Sequence, residues 1–135
     1  MLEPIACIVA RGLVRDVETN TISVFQILED IAPAGLPMLI PECGVLGMWR
    51  RHAADPQLHN IRLVVTNEGA ALLDAPITVD FGDTLTNRTM VNLRGLAVRS
   101  AGKLRFQFKR QDGTLLAEYL IGVSTPASTA PETPS

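Results

Sequence analysis

Apolar and polar positions alternate most regularly near the end of the chain, in the stretch KLRFQFK over residues 103–109. One side of this stretch carries Leu104, Phe106 and Phe108, and the other carries Lys103, Arg105, Gln107 and Lys109. A period of two predicts a strand with one buried face. Asp112-Gly113 follows and predicts a tight turn with positive φ at both residues, so 103–123 is predicted to be a β-hairpin.

Similar strand-like runs recur along the rest of the chain, separated by turn-forming residues. They cover 5–14, 22–31, 60–67, 77–83 and 89–96. The first two are predicted to form a hairpin around RDVETNT, and the next two an antiparallel pair around EGAALLDAP.

The run that starts at residue 38, MLIPECGVLGMWRR, contains one proline and two glycines. Pro41 and Gly44 in particular predict an irregular, bulged or edge strand whose best pairing begins at about Gly44. The two glycines also argue against a helix in this segment.

About eight short strands without an amphipathic helix predict an all-β fold. We expect an antiparallel β-sandwich of seven to eight strands, immunoglobulin-like or C2-like, in preference to a barrel. A chain of 135 residues suits a single domain, here 1–123. Residues 124–135 are rich in Pro, Ser and Thr and are predicted to form a flexible tail.

The composition and charge of the chain limit the classes of partner and the cellular location that can be expected. A net charge of −2, with Lys and Arg spread along the chain, argues against nucleic acid. No apolar run is long enough to span a membrane and no basic leader is visible, so a cytoplasmic location is expected. In that setting Cys7 and Cys43 are predicted to be reduced, buried thiols.

The polar residues form no sequence motif that is typical of a metal site or of catalysis. His52, Asp55 and His59 match no standard zinc spacing and are interpreted as surface-loop residues. Three carboxylates near strand ends, Asp74, Asp80 and Asp83, are too sparse for a calcium site and are interpreted as solvated turn residues. No catalytic residue, metal site or cofactor is predicted, and the protein is not expected to be an enzyme.

Trp49, Arg50 and Arg51 form the most distinctive cluster, since Trp and Arg are enriched where binding energy concentrates in interfaces. The alternative is that Trp49 packs over the edge of the core while the arginines end in water. Leu116 and Leu120 fall on the strand face that should meet solvent. Together with a charged fraction of only 19%, these leucines favour a homo-oligomer.

Two long segments, ACIVARGLVRDVETNTISVFQILEDIAPAGLP and VNLRGLAVRSAGKLRFQFKRQDGTLLAEYLIGV, resemble an uncharacterised family of short bacterial β-sandwich proteins. CGVLGMWRR departs from the pattern of that family. The resemblance implies the fold, and it carries no activity or catalytic residue to this chain. We therefore expect a non-catalytic interaction or assembly module with an unknown protein partner; the alternative is a sandwich that binds a small ligand or a carbohydrate.

Overall fold

A computed structural model describes residues 2–126, which form nine strands in two packed sheets, so the predicted β-sandwich is confirmed. The strands are β1 Glu3–Asp16, β2 Thr21–Ile27, β3 Asp30–Ile31, β4 Met38–Arg50, β5 Leu58–Asn67, β6 Ala70–Asp80, β7 Thr86–Val98, β8 Gly102–Arg110 and β9 Leu115–Val123. The first sheet has the order β2-β1-β4-β7, and the second has the order β3-β9-β8-β5-β6. All neighbouring strands are antiparallel except β3 and β9, which are parallel.

The predicted hairpin at 103–123 is formed by β8 and β9, and its three alternating apolar side chains are completely buried. Its turn differs from the prediction. Only Gly113 has a positive φ, 90°, and its N–H donates to the carbonyl of Arg110 at 2.9 Å. The loop between β8 and β9 is therefore a tight turn that ends with one glycine in the left-handed backbone conformation. Asp112 instead accepts the N–H of Thr114 at 2.9 Å, so positive φ at Asp112 was a wrong prediction.

The hairpin of β5 and β6 turns much earlier than the sequence suggested. Glu68 and Gly69 have φ values of 48° and 83°, and β6 begins at the next residue, Ala70. The segment EGAALLDAP is therefore mostly strand, and its prediction as a loop was wrong. Positive φ is uncommon for Glu. Here the Glu68 carboxylate accepts the N–H of Lys103 at 2.6 Å, which anchors the turn to β8.

β4 is a central strand, contrary to the prediction of an edge or irregular strand. From Gly44 to Arg50 it pairs with β1 on one side and β7 on the other, which agrees with the expectation that its best pairing begins at Gly44. Before Gly44 it pairs with β7 alone. Pro41 lies in that singly paired part, where its missing N–H is tolerated.

The inner face of β4 supplies the centre of the core. Trp49 is completely buried, and its ring meets Phe108 of the second sheet edge-on with 5.1 Å between centroids. The indole N–H donates to the hydroxyl of Thr89 at 3.2 Å. A Cβ atom at Gly47 would lie 2.9 Å from Cζ2 of the indole, so the absence of a side chain at Gly47 makes room for the ring.

The outer face of the first sheet, which points away from the second sheet, is covered around the middle of β4. Leu46 lies on this face, yet only 3% of it is exposed. A Cβ atom at Gly44, also on this face, would lie 2.7 Å from Cγ and Cδ1 of Leu13. Near the tip of the β1–β2 hairpin, Asn20 accepts a hydrogen bond from Arg88 Nη2 at 2.7 Å. The chain's own β1–β2 hairpin therefore bends over the outer face of β4 and β7.

Two polar side chains, the buried Asn67 and the partly buried Tyr119, hold connections between strands in place. Asn67 Oδ1 accepts the N–H groups of Arg99 and Ser100 at 3.0 and 2.8 Å, and its amide nitrogen donates to the carbonyl of Ser100 at 3.0 Å. The hydroxyl of Tyr119 donates to the carbonyl of Leu28 at 2.6 Å. Burial raises the pKa of Tyr119, which keeps this donor protonated.

The predicted tail at 124–135 begins directly after β9. Its first residue, Ser124, is held against β3 by two hydrogen bonds. The N–H of Ser124 donates to the carbonyl of Ile31 at 2.9 Å, and the hydroxyl of Ser124 donates to the same oxygen at 3.2 Å. Residues 127–135 lie outside the described part of the chain.

We expect Asn67→Ala to lower the free energy of unfolding by about 2–4 kcal/mol, because it removes the buried amide that binds the backbone of Arg99 and Ser100. Asn60→Ala is the control: Asn60 is exposed and its amide oxygen accepts one hydrogen bond, from Thr78. Asn60→Ala should lower the free energy of unfolding by less than about 1 kcal/mol. Urea denaturation followed by tryptophan fluorescence measures both. Equal losses in the two variants would contradict the anchoring role of Asn67.

Candidate functional site

Trp49 and Arg51 do not lie on the surface, although the sequence suggested both as interface residues. Trp49 is enclosed between the sheets and offers no side-chain surface to a partner. The alternative interpretation, that Trp49 packs over the edge of the core, is closer, but the ring lies within the core and not at its edge. Arg50, the residue between them, is exposed at the end of β4.

Arg51 is buried, contrary to the interpretation that its side chain ends in water. Its guanidinium donates to four backbone carbonyls, those of His52, Asp55, Gly82 and Thr84. It also lies 5.7 Å from the centroid of the Phe81 ring. This cation holds the 52–57 loop against the 81–85 loop, because carbonyl oxygens and a ring face replace its water. Its role in this structure is to position loops.

His52, Asp55 and His59 do not converge on a common point. Asp55 Oδ2 accepts the N–H of His52 at 2.9 Å, which closes a turn of the loop. The ring of His59 instead hydrogen-bonds the carbonyl of Pro56 at 2.9 Å and packs against Phe81. Among residues 2–126, no three His, Cys, Asp or Glu side chains are grouped so that they could hold a metal ion.

The three carboxylates named from the sequence are likewise separate. Asp74 forms a two-pronged ion pair with Arg62 across β5 and β6. Asp80 accepts the N–H of Gly82 at 2.9 Å within a turn, and Asp83 is exposed.

Leu116 and Leu120 of β9 differ in their surroundings. Leu116 packs against the core at a β-bulge, contrary to the prediction that it lies on the solvent face, while Leu120 lies on a largely polar face of the second sheet. Glu118, between them, accepts hydrogen bonds from Gln107 at 2.6 Å and Arg105 at 3.4 Å. Leu120 is 45% exposed and lies opposite Arg105, while Leu116 is half-buried. Leu120 therefore lies beside this network, and Leu116 contacts the core. Their role in an interface stays a prediction.

The sheet edges differ in how they are protected against pairing with another chain. Of the four edge strands, β6 carries Asp74 and Pro76, β7 carries Arg88 and Arg94, and β3 has only two residues. Charges, proline and shortness all discourage edge-to-edge pairing. β2 has the sequence TISVFQI, with neither charge nor proline. Among the described strands, β2 is thus the edge that lacks these protections.

Apolar side chains flank the free edge of β2. Phe25 is 53% exposed and lies over Gly12 of β1, and Ile27 is half-exposed two positions further on. Val14 neighbours Phe25 diagonally on the same face of the β1–β2 hairpin and is also exposed. Of the Phe, Trp and Tyr side chains in residues 2–126, Phe25 alone is exposed. The alternation in the sequence showed these residues as strand positions but did not show which sheet edge they would occupy.

Comparison of the chain with models of known protein families and with curated proteins found no match in either. Residues 2–126 contain no helix of the length and hydrophobicity that crossing a membrane requires.

Both cysteines are free, as predicted, with Cys43 buried and Cys7 partly buried. Burial raises the pKa of each thiol from 9.0 to about 11. Because the thiolate is the reactive form, its fraction at pH 8 should be about a hundredfold below that of an unperturbed thiol.

We expect both cysteines to react slowly with a disulfide reagent at pH 8 and rapidly in denaturant. Fast reaction of the folded protein would contradict the burial of the thiols.

Proposed function

We propose that the protein is a non-catalytic assembly module that forms a symmetric dimer through the free edge of β2. The observation that carries this proposal is the unprotected β2 edge, which has neither charge nor proline and is flanked by exposed apolar side chains. The occupant proposed for this edge is the β2 strand of a second copy.

Self-pairing of β2 is compatible with a two-fold axis. An antiparallel pair of identical strands is isologous, because each strand presents the same residues to the other. The exposed backbone N–H and C=O groups of the two edges would satisfy each other. Gln26 has a φ of 54°, which interrupts the regular strand, so Thr21–Phe25 is the segment available for pairing.

The side chains also favour a second copy of this chain. A strand without charged residues meets its own copy without like-charge repulsion. Pairing would bury part of Phe25, and aromatic residues are typical anchors of interfaces. The chain's charged fraction of 19% is consistent with a surface that is partly covered in an assembly.

A carbohydrate-binding role has less support. Sugar sites use exposed aromatic side chains as stacking platforms, but Trp49, Phe106 and Phe108 are completely buried. Phe25, the exposed ring, lies beside an open strand edge.

Phe25→Lys should weaken the dimer, because it places a charge on each side of the two-fold axis. Leu58→Lys is the matched control, since Leu58 is also 53% exposed but lies on β5 in the second sheet. Light scattering over a concentration series should give about twice the chain mass of 14.6 kDa for the wild type and for Leu58→Lys. For Phe25→Lys, the dissociation constant should rise by at least about tenfold.

Three results would overturn the proposal. One is a monomeric wild type at every concentration, and another is a Phe25→Lys variant that dimerises like the wild type. The third is loss of the dimer in Leu120→Lys but not in Phe25→Lys, which would move the interface to the second sheet. Circular dichroism of each variant checks that the sandwich has folded.

A further inference from the structure

An open groove of about 710 Å³ lies where the tip of the β1–β2 hairpin meets the outer face of β4 and β7. Three arginines from three different strands line it: Arg15 of β1, Arg50 of β4 and Arg88 of β7. The apolar part of its lining includes Met48 and Met90.

No carboxylate occurs among the described residues that line this groove. Within residues 2–126, none of the three arginines forms an ion pair, and the side chain of Arg88 is bonded to the neutral amide of Asn20. Glu3 lies opposite Arg50 in the register of β1 and β4, but the two are not ion-paired. Elsewhere on the surface, Arg62 and Arg105 do pair with carboxylates.

The cluster is unusual for a chain with this charge balance. Acidic residues outnumber basic ones by 14 to 12, yet the described lining of this groove has three arginines and no Asp or Glu. Like charges held close together repel one another and attract a counter-ion. We therefore expect the lining itself to favour an anion, although the chain carries a net charge of −2 and Glu3 lies opposite Arg50.

The donor groups and the lining together define a class of ligand. Guanidinium groups bind carboxylate and phosphate oxygens through paired N–H donors. The methionines can bury a short hydrocarbon segment, and Met adapts to irregular shapes. The volume lies in the usual range for small-molecule sites, about 300–1,000 Å³. We propose that this groove binds a small organic anion that has a carboxylate or phosphate head and a short apolar body.

The proposal differs from the dimer interface and does not depend on it. Phe25 and Ile27, which flank the free edge, are not part of the groove lining, although Ile22 of the same strand is. Binding should therefore persist in the monomeric Phe25→Lys variant, so the two proposals can fail separately.

Octanoate and octyl phosphate are suitable probes, with octanol as the neutral control of equal chain length. Isothermal titration calorimetry at low salt should detect binding of at least one anionic probe, with octanol at least about tenfold weaker. The affinity should fall as the salt concentration rises, because the arginines are accessible to screening ions. Comparison of the two anions shows which head group the arginines prefer.

Arg50→Gln and Arg15→Gln test the groove directly, because neither side chain forms a hydrogen bond or ion pair with another described residue that its loss would break. Each should weaken the anionic probe by about threefold to tenfold. Arg94→Gln is the matched control: Arg94 is exposed on β7 but is not part of the lining. The affinity of the Arg94→Gln variant for the anionic probe should equal that of the wild type. Thermal unfolding of all three variants confirms that they are folded.

Several outcomes would overturn the proposal. They are the absence of binding by either anion, equal binding of octanol, and an effect of Arg94→Gln as large as that of Arg50→Gln. Binding of a polyglutamate peptide without binding of either small anion would also overturn it, because the groove would then serve an acidic protein segment.

Discussion

Burial of the middle of β4, residues 43–47, on both faces is the constraint on which the rest of this structure depends. The inner face of β4 places Trp49 against Phe108 of the second sheet, and its outer face presents Leu46, which a two-layer sandwich alone would leave in water. Gly47 and Gly44 allow both faces to be covered closely, since the Trp49 ring lies over one and Leu13 over the other. The β1–β2 hairpin must therefore bend over the first sheet, because no second sheet is available on that side.

That bend accounts for both surfaces on which the functional proposals rest. Once one face of the hairpin covers β4, its other face carries Phe25 towards solvent, and β2 becomes an outermost strand. The hairpin tip does not close completely on β7, and the gap that remains is the groove lined by Arg15 and Arg88. The bond between Arg88 and Asn20 holds the tip at this distance. Loops elsewhere are fixed by buried polar groups, chiefly Arg51 and Asn67.

The sequence predicted the features that depend on local patterns. Alternation identified β8 and its buried Phe106 and Phe108, because a period of two follows directly from strand geometry. It did not identify β4 as central, since two glycines and a proline ordinarily weaken a strand. Those glycines are needed for contacts with Leu13 and Trp49, and such contacts are set by tertiary structure. For the same reason Trp49 was suggested as a surface anchor, although Gly47 two positions earlier leaves space for its ring in the core.

The edge and the groove are physically connected through β2. Ile22 belongs to the segment available for pairing and also lines the groove, and it is half-buried in the monomer. A partner strand on β2 would contact the β1–β2 hairpin along its free edge, and an anion held by Arg15 and Arg88 would contact the tip of the same hairpin. Binding events that order a shared element favour each other, and this coupling is reciprocal. Anions in both grooves of the dimer should therefore strengthen dimerisation by the product of the two factors by which dimerisation strengthens anion binding at each groove.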